Sequence, residues 1–242
     1  MRISRFFYND VISVDDELTL PPELSHYLVS VLRVKLGQPV ILFNGNGSDY
    51  PSEVTEIHKK HCKVLVNSQL SLNVESPLEL HLAQGVSKGD RMDYAIQKAV
   101  ELGVTAITPV ITHNCNVKLS EERWAKKVEQ WQKIAVSACE QSQRNIVPTV
   151  HAPLSFSQLV AKQTDLTKLM LAPGSATYLS GLKKPARGFM LSIGPEGGFT
   201  EQEVYTAEQC GFILTNLGPR ILRTETATAV GLSVLQSLFG DL

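Results

Sequence analysis

The sequence has no long apolar run, and this absence excludes one large class of protein. No stretch approaches the ~18 consecutive apolar residues that indicate a membrane-spanning helix. The segment from Met1 to Arg5 leads into no apolar core of a signal peptide. We therefore expect a cytoplasmic protein that has no membrane partner.

Cysteine is scarce, and the cysteines are not spaced like the ligands of a metal site. The chain of 242 residues has 4 cysteines, with no C-x-x-C pair and no cluster of histidines. Such cysteines are typical of reduced thiols packed in the interior, so we predict neither a disulfide nor a metal site. They are Cys62, Cys115, Cys139 and Cys210.

An excess of charge of either sign is also missing. The formal net charge is −1, with 43% hydrophobic and 19% charged residues, as in an ordinary globular protein. A nucleic-acid partner would therefore have to be bound by a local basic patch, because the whole chain generates no attractive field.

The composition pattern divides the chain into two predicted domains, residues 1–73 and 74–242. The first contains candidate strands at residues 3–8, 39–44, 52–57 and 62–66, and one helical pattern at 22–33. This content predicts a small β-barrel carrying one helix. From residue 74 onward strands and helices alternate, which predicts an α/β domain with a largely parallel sheet.

Glycine-bearing loops follow three predicted strands of the second domain. One is Gly194-Pro195-Glu196-Gly197-Gly198, another is Leu217-Gly218-Pro219-Arg220, and a third begins at Pro173-Gly174. Thr200 and Glu203 form a capping-box pattern that starts a helix directly after the first loop. Because ligands bind at the carboxyl ends of strands in open α/β sheets, the three loops predict one ligand site.

Three interpretations of these loops remain open on the residues alone. A nucleotide-phosphate loop is disfavoured, because no G-x-x-x-x-G-K-[ST] motif is present and Glu196 would repel a phosphate. Tight turns without a ligand are a second interpretation. The third is a ligand with an adenosine and a positive centre, such as S-adenosylmethionine, since backbone groups suit adenine and a carboxylate suits a cation.

Four motifs in order carry a family resemblance that favours the third interpretation. They are Arg91-Met92-Asp93 with Ile96-Gln97-Lys98-Ala99 and Glu101-Leu102-Gly103-Val104, then Glu140-Gln141-Ser142-x-Arg144, then Gly194 to Gly198, then Leu217-Gly218-x-Arg220-Ile221-Leu222-Arg223-x-Glu225-Thr226-Ala227. Together they resemble SPOUT-class methyltransferases, and most closely the family that methylates N3 of a uridine in 16S ribosomal RNA. The resemblance extends to the N-terminal part, where His26-Tyr27-Leu28 and Val31-Leu32-Arg33 resemble that family's PUA-like RNA-binding domain.

The resemblance implies a SPOUT-type α/β domain with a trefoil knot, preceded by a PUA-like barrel, in a homodimer. It implies that S-adenosylmethionine is the methyl donor, that no metal is needed, and that the substrate is 16S ribosomal RNA within the small ribosomal subunit. The cofactor contacts that it implies are Leu171, Ala172, Gly174, Ile193, Gly194, Glu196, Gly197, Gly198, Leu217, Gly218, Ile221 and Leu222.

Roles in catalysis and RNA binding are also expected for individual side chains. Arg223, and secondarily Arg220, would stabilise the uracil anion that develops when N3 loses its proton. Glu196 or Glu225 would take that proton, although a glutamate at position 225 also suits the first turn of a helix. The RNA contacts we expect are Arg2, Arg5, Arg33, Lys35, Arg91 and Arg144. A non-catalytic RNA-binding module with the same fold is the alternative function.

Overall fold

The structure, a computed structural model, describes residues 3–58 and 61–242 and shows two compact units. One unit contains the chain up to Glu75 together with Cys139–Val147, and the other contains Ser76–Ala138 and Pro148–Leu242. The sequence predicts a single boundary after residue 73, and that boundary stays a prediction. The return of Cys139–Val147 to the first unit is a feature that the sequence pattern does not predict.

The first unit is built on a six-stranded, mostly antiparallel sheet. Its strands pair in the order β1-β3-β4-β5-β2, with β6 added to β4, and β1 pairs with β3 in parallel. Because the described pairings leave β1 and β2 at the edges, closure into a barrel stays a prediction. The strands are β1 Ser4–Phe7, β2 Glu17–Thr19, β3 Pro39–Phe43, β4 Ser48–Ile57, β5 Cys62–Val66 and β6 Leu70–Ser71.

One helical segment packs on this sheet. It starts as α1, Pro22–His26, continues as a wider π-helical turn over Tyr27–Leu32, and ends at Arg33, whose φ is 53°. Alternate residues of β5 are buried, so Cys62, Val64 and Val66 enter the core while the residues between them are more exposed.

Hydrogen bonds explain why Cys139–Val147 belongs to the first unit. The Arg144 guanidinium pairs with the Glu75 carboxylate at 2.5 Å, and the Asn145 amide donates to the carbonyl of Leu72 at 2.8 Å. Arg5 pairs with Asp49 and also donates to the carbonyl of Arg144 at 3.2 Å. Buried charges are retained only when they are paired in this way, so the segment and the sheet stabilise each other.

The second unit contains an eight-stranded sheet in which every described pairing is parallel. The α/β prediction is therefore confirmed. The strands are β7 Glu79–Gly85, β8 Ala106–Ile111, β9 Thr149–Val150, β10 Leu154–Ser155, β11 Thr167–Leu171, β12 Thr177–Tyr178, β13 Gly188–Ile193 and β14 Ile213–Asn216. The helices are α2 Asp90–Glu101, α3 Glu121–Ser142, α4 Phe156–Ala161, α5 Glu201–Gln209 and α6 Thr224–Phe239, and the residues of α3 from Cys139 onward belong to the first unit.

Helices cover both faces of this sheet. Met190 of β13 lies in a buried cluster with Leu159 of α4 and Ala207 of α5. On the opposite face, the Leu191 side chain contacts α6 at Gly231, where an added Cβ would lie 3.1 Å from Leu191 Cδ2. Because neighbouring residues of a strand point to opposite faces, all of β13 is buried, as its continuous apolar pattern predicts.

The strand order brings the three glycine-bearing loops together. It runs β10-β8-β7-β13-β11-β14-β12, with β9 also paired to β8. Strands β13, β11 and β14 are therefore adjacent and parallel. The loops that follow them leave the same edge of the sheet side by side.

Candidate active site

The three loops and the first turns of α5 and α6 enclose a cavity of about 870 Å³. Pockets for small molecules typically measure roughly 300–1,000 Å³, so this cavity is large enough for a nucleoside-sized ligand. Every cofactor contact implied by the family resemblance lines it except Gly174, whose place is taken by Pro173. The lining residues among those candidates are Leu171, Ala172, Ile193, Gly194, Glu196, Gly197, Gly198, Leu217, Gly218, Ile221 and Leu222.

Close backbone approaches explain two of the glycines around this cavity. A Cβ on Gly85, at the end of β7, would lie 2.5 Å from the backbone nitrogen of Pro195. A Cβ on Gly197 would lie 2.9 Å from the Cβ of Asn114. Any side chain at these positions would push the loop out of place, because real Cβ contacts are not this short.

Asn114 holds the glycine loop from the side of β8. Its amide nitrogen donates to the carbonyl of Gly197 at 2.9 Å and to that of Gly198 at 3.2 Å. The sequence pattern gave no signal for this residue, because an asparagine after a strand is ordinary turn chemistry.

Glu203, in the first turn of α5, connects this helix to the segment that follows β8. Its carboxylate accepts from the backbone of His113 at 2.8 Å and of Thr200 at 2.9 Å. The capping box predicted for Thr200 and Glu203 is confirmed. The start of α5 is thereby fixed to the segment after β8.

A buried polar network fixes the other side of the glycine loop. The Thr224 hydroxyl, at the start of α6, donates to the carbonyl of Gly194 at 2.6 Å. The Gln84 amide donates to the Thr224 hydroxyl at 2.9 Å and accepts from the Thr228 hydroxyl at 2.6 Å. Because Gln84 and Thr228 are fully buried, this network couples β7, the loop and α6.

The Glu196 carboxylate is an anchor of the same loop. It accepts from the backbone nitrogen of Lys88 at 3.0 Å and from Arg91 Nη1 at 2.8 Å. Burial alone would raise the pKa of Glu196, but hydrogen bonds from backbone N–H groups and from Arg91 outweigh it and lower the pKa. Glu196 is thus held ionised, an arrangement that favours anchoring over proton transfer.

The comparisons with known proteins agree with this architecture. Residues 74–236 match the RNA methyltransferase domain family, and residues 20–67 match the RNA methyltransferase PUA domain. A ribosomal RNA small subunit methyltransferase E from Buchnera aphidicola (subsp. Acyrthosiphon pisum) is 36% identical over 241 residues, covering 99% of this chain and 95% of the relative. The chain belongs to the RNA methyltransferase family. The first unit of this methyltransferase is accordingly PUA-like, as predicted.

Two solved structures are similar over the whole length. A Legionella pneumophila protein in complex with bound SAM has a TM-score of 0.96 and 41% identity, and 100% of both chains is covered. A ribosomal RNA small subunit methyltransferase E from Neisseria gonorrhoeae, bound to S-adenosyl methionine, has a TM-score of 0.93 and 38% identity, again with 100% of both chains covered.

Two arginines expected to stabilise the uracil anion border the cavity of this methyltransferase. Arg220 and Arg223 are both exposed and both line it. Among the residues described, neither guanidinium has an ion-pair partner. Arg223 is the N-cap residue of α6, so its side chain lies next to the turn that Thr224 ties to the glycine loop. Both remain available for an anionic ligand.

The expected RNA contacts fall into four groups. Arg33 and Lys35 are exposed on the PUA-like unit, as an RNA contact requires, and Arg2 lies outside the described residues. Arg5 and Arg144 do not fit the expectation of surface contacts, because each side chain is 4% exposed and is committed to a carboxylate. Arg91 pairs with Glu196, so its place is at the cavity wall.

The expectation of no metal site stays a prediction. Within residues 3–58 and 61–242, one group could hold a cation, since ligand atoms of Glu56, His58 and His61 lie within 4.8 Å of one another. Lys63 already pairs with Glu56 at 2.9 Å, which opposes cation binding there. No helix in the same described ranges is long and apolar enough to cross a membrane.

Proposed function

We propose that this protein transfers a methyl group from S-adenosylmethionine to N3 of a uridine in 16S ribosomal RNA of the small subunit. The observation that carries the proposal is the cavity formed by three loops at the carboxyl ends of β13, β11 and β14. The relatives and the SAM-bound structures named above support both the donor and the RNA substrate.

The residues of the cavity fit such a donor. Gly198 and Gly218 have φ values of 65° and 119°, conformations that leave the backbone uncovered for close contact with an adenosine. Glu196 and Glu225 bring negative charge to a site for a cationic ligand. The implied cofactor contacts are therefore proposed as the binding residues, with Pro173 in the place expected for Gly174.

The donor supplies an electrophilic methyl group, and the protein's task is to align N3 with it. Positioning of this kind can contribute on the order of 7–11 kcal/mol. Hydrogen bonds from Asn114 and Thr224, with Gln84 behind Thr224, hold the glycine loop in one conformation. Arg223 and Arg220 stabilise the negative charge that develops on the uracil.

Three wider features belong to the same proposal. A trefoil knot is the expectation that the family resemblance carries, and the similar SAM-bound structures support it through their common fold. A homodimer is supported by the exposed apolar side chains Val230 and Leu238 on that helix, and sedimentation velocity tests it. Arg33 and Lys35 are proposed as RNA contacts of the PUA-like unit.

Calorimetry with S-adenosylmethionine and Gly197→Val tests the binding site. The variant is expected to abolish stoichiometric binding, because its side chain would collide with Asn114. Gly181→Ala is the matched control, since an added Cβ there meets nothing within 4 Å. Absence of binding by the parent protein at millimolar ligand would refute the proposed cofactor.

Mapping of methylated positions tests the reaction. Small subunits lacking the modification are incubated with the protein and the donor, and a new 3-methyluridine in 16S ribosomal RNA is the expected product. A protein that binds both ligands and methylates nothing would be the alternative, a non-catalytic RNA-binding module. Exposed Arg220 and Arg223 at the cavity favour the enzyme.

A further inference from the structure

One exposed surface of the PUA-like unit combines an aromatic side chain with apolar and basic ones. This Tyr27–Leu36 surface consists of the π-helical turn after α1 and the loop that follows it. Its large exposed apolar side chains are Tyr27, Val31, Leu32 and Leu36, which are 45%, 58%, 38% and 65% exposed. Apolar residues exposed singly are ordinary, but several exposed together in one segment form a patch, and such patches mark interaction sites.

The charge of this surface has one sign. Residues 26–36 contain Arg33 and Lys35 and no acidic residue. Both basic side chains are exposed, and neither forms an ion pair within the part of the chain that the structure describes. A nucleic acid matches both features, because its phosphates are anionic and its unstacked bases present flat faces to aromatic side chains.

Buried contacts hold the aromatic side chain in place. Leu28, the residue after Tyr27, is fully buried in the core of the unit. The Ser25 hydroxyl accepts from the backbone nitrogen of Cys62 in β5 at 3.1 Å, which fixes α1 to the sheet. The Tyr27 ring packs edge-on against Phe6, with ring centroids 6.2 Å apart and 76° between the ring planes. A side chain held in this way loses little conformational freedom when a ligand binds to it.

The backbone after the helical turn is also fixed. The Arg33 nitrogen donates to the carbonyl of Leu28, and Arg33 has a φ of 53°, a left-handed conformation that is uncommon for residues other than glycine. In the next turn, the Lys35 nitrogen donates to Gln38 Oε1 at 3.0 Å, and the Gln38 nitrogen donates to the Lys35 carbonyl at 3.1 Å. Both basic residues therefore lie on ordered backbone directly after the exposed apolar side chains.

The chemistry of the surface indicates which form of RNA fits it. In an A-form helix the bases are stacked and the deep, narrow major groove excludes side chains, so an aromatic ring reaches bases only in loops, bulges and ends. Basic residues alone would suffice for the phosphates of a duplex. A role in packing explains the contact between Tyr27 and Phe6, but it does not explain why Val31 and Leu36 are exposed beside them.

We propose that Tyr27 stacks on an unpaired base of the ribosomal RNA substrate while Arg33 and Lys35 contact the adjoining phosphates, an inference that rests on the proposed function. Val31, four residues after Tyr27, extends the apolar surface beside the ring. The PUA-like unit thereby binds a single-stranded segment in preference to a duplex, and the stacked base is a second one, separate from the uracil that is methylated.

Fluorescence anisotropy with two labelled RNAs tests the stacking. One RNA is a hairpin with a single-stranded loop, and the other is the blunt duplex of its stem. Tyr27→Ala is expected to weaken binding of the hairpin roughly tenfold and to leave binding of the duplex within about twofold of the parent. Tyr27→Phe keeps the ring and should bind both RNAs like the parent. Tyr94→Ala is the matched control, because Tyr94 is 46% exposed on a helix of the other unit.

The salt dependence of hairpin binding separates stacking from phosphate contact. Arg33→Asn removes the charge, and asparagine tolerates the left-handed backbone at this position. This variant should reduce the slope of log affinity against log salt concentration by about 0.7, the value for one phosphate of a single strand. Tyr27→Ala should leave the slope unchanged, since a stacked base releases no counterion.

Three results would overturn the inference. They are an unchanged affinity of Tyr27→Ala for the hairpin, an equal loss for hairpin and duplex, and a loss of self-association in sedimentation velocity, which would assign the surface to a second copy of the chain. Thermal melting shows whether Tyr27→Ala folds. If it does not, Tyr27→Leu decides, because leucine keeps apolar packing against Phe6 and lacks an aromatic face.

Methylation of unmodified small subunits, measured alongside, tells this inference apart from the proposed function. A parent protein that methylates subunits while Tyr27→Ala binds the hairpin as tightly would overturn the role of Tyr27 and leave the proposed function standing. Hairpin binding that depends on Tyr27, in a protein that methylates nothing, would refute the proposed function and support the stacking surface.

Discussion

Replacing the Thr224 hydroxyl by a methyl group tests whether the buried network shapes the cofactor loop. In Thr224→Val the donor to the carbonyl of Gly194 is lost, and so is the acceptor of the Gln84 amide. The Gln84 amide still donates to the carbonyl of Gly85 at 3.1 Å, so the amide keeps one partner. The Gly194 carbonyl is then the group that loses its hydrogen-bond donor. An unsatisfied buried polar group costs roughly 1–3 kcal/mol, and we expect about 2 kcal/mol.

The effect should be visible in both stability and binding. A free-energy loss of that size, confined to the loop, corresponds to roughly a thirtyfold loss of affinity for S-adenosylmethionine at most. Calorimetry measures the affinity, and thermal melting of the same samples measures the stability of the second unit. Thr226→Val is the matched control, because Thr226 is exposed on the same helix turn.

Exposed substitutions of this kind usually change stability by less than about 0.5 kcal/mol, so Thr226→Val should behave like the parent. Equal affinities and melting temperatures for the two variants would refute the argument that the Gln84–Thr224–Thr228 network holds the loop. A loss of stability in Thr224→Val without a loss of affinity would show that the network stabilises the core but does not shape the cofactor loop.

Three further predictions concern Asn114, Glu196 and His81. Asn114→Ala removes two hydrogen bonds to the glycine loop and should weaken calorimetric cofactor binding by roughly tenfold. Glu196→Gln should lower the methylation rate less than tenfold, because it loosens an anchor that is partly exposed to solvent. Burial, with smaller contributions from Lys162 and His151, lowers the pKa of His81 to about 4. The unfolded chain then binds more protons below pH 6.5, so stability should fall by roughly 3 kcal/mol as the pH drops towards 4, and His81→Asn should flatten that change in melting temperature.

Most strands and the ligand edge of the sheet could be predicted from the sequence. Buried parallel strands such as β13 are continuous apolar runs, and glycines after them mark turns that a ligand approaches. The capping box at Thr200 fixes the start of α5 within one residue. Which strands are neighbours does not follow from these local patterns, because strand order depends on contacts between distant parts of the chain.

The roles of individual charges were the least predictable part of the site. Arg5 and Arg144 have the same local sequence signals as exposed arginines, yet both are buried against carboxylates. Their burial could not be predicted, because the partners Asp49 and Glu75 are distant in sequence. Short strands such as β9 and β12 also escape prediction, since two residues carry no periodicity.

Pairing between distant residues also distinguishes Glu196 from Glu225, two of the glutamates that line the cavity. From the sequence, Glu196 in the glycine loop is the natural candidate for a proton acceptor, and Glu225 is explained by the dipole of its helix. In the fold, Arg91 of α2 and the backbone of Lys88, which precedes α2, both donate to Glu196, whereas Glu225 Oε2 has no hydrogen-bond partner among the described residues. A carboxylate that already accepts from two donors anchors the loop. Which glutamate anchors the loop therefore depends on partners that are distant in sequence, and the local pattern does not show them.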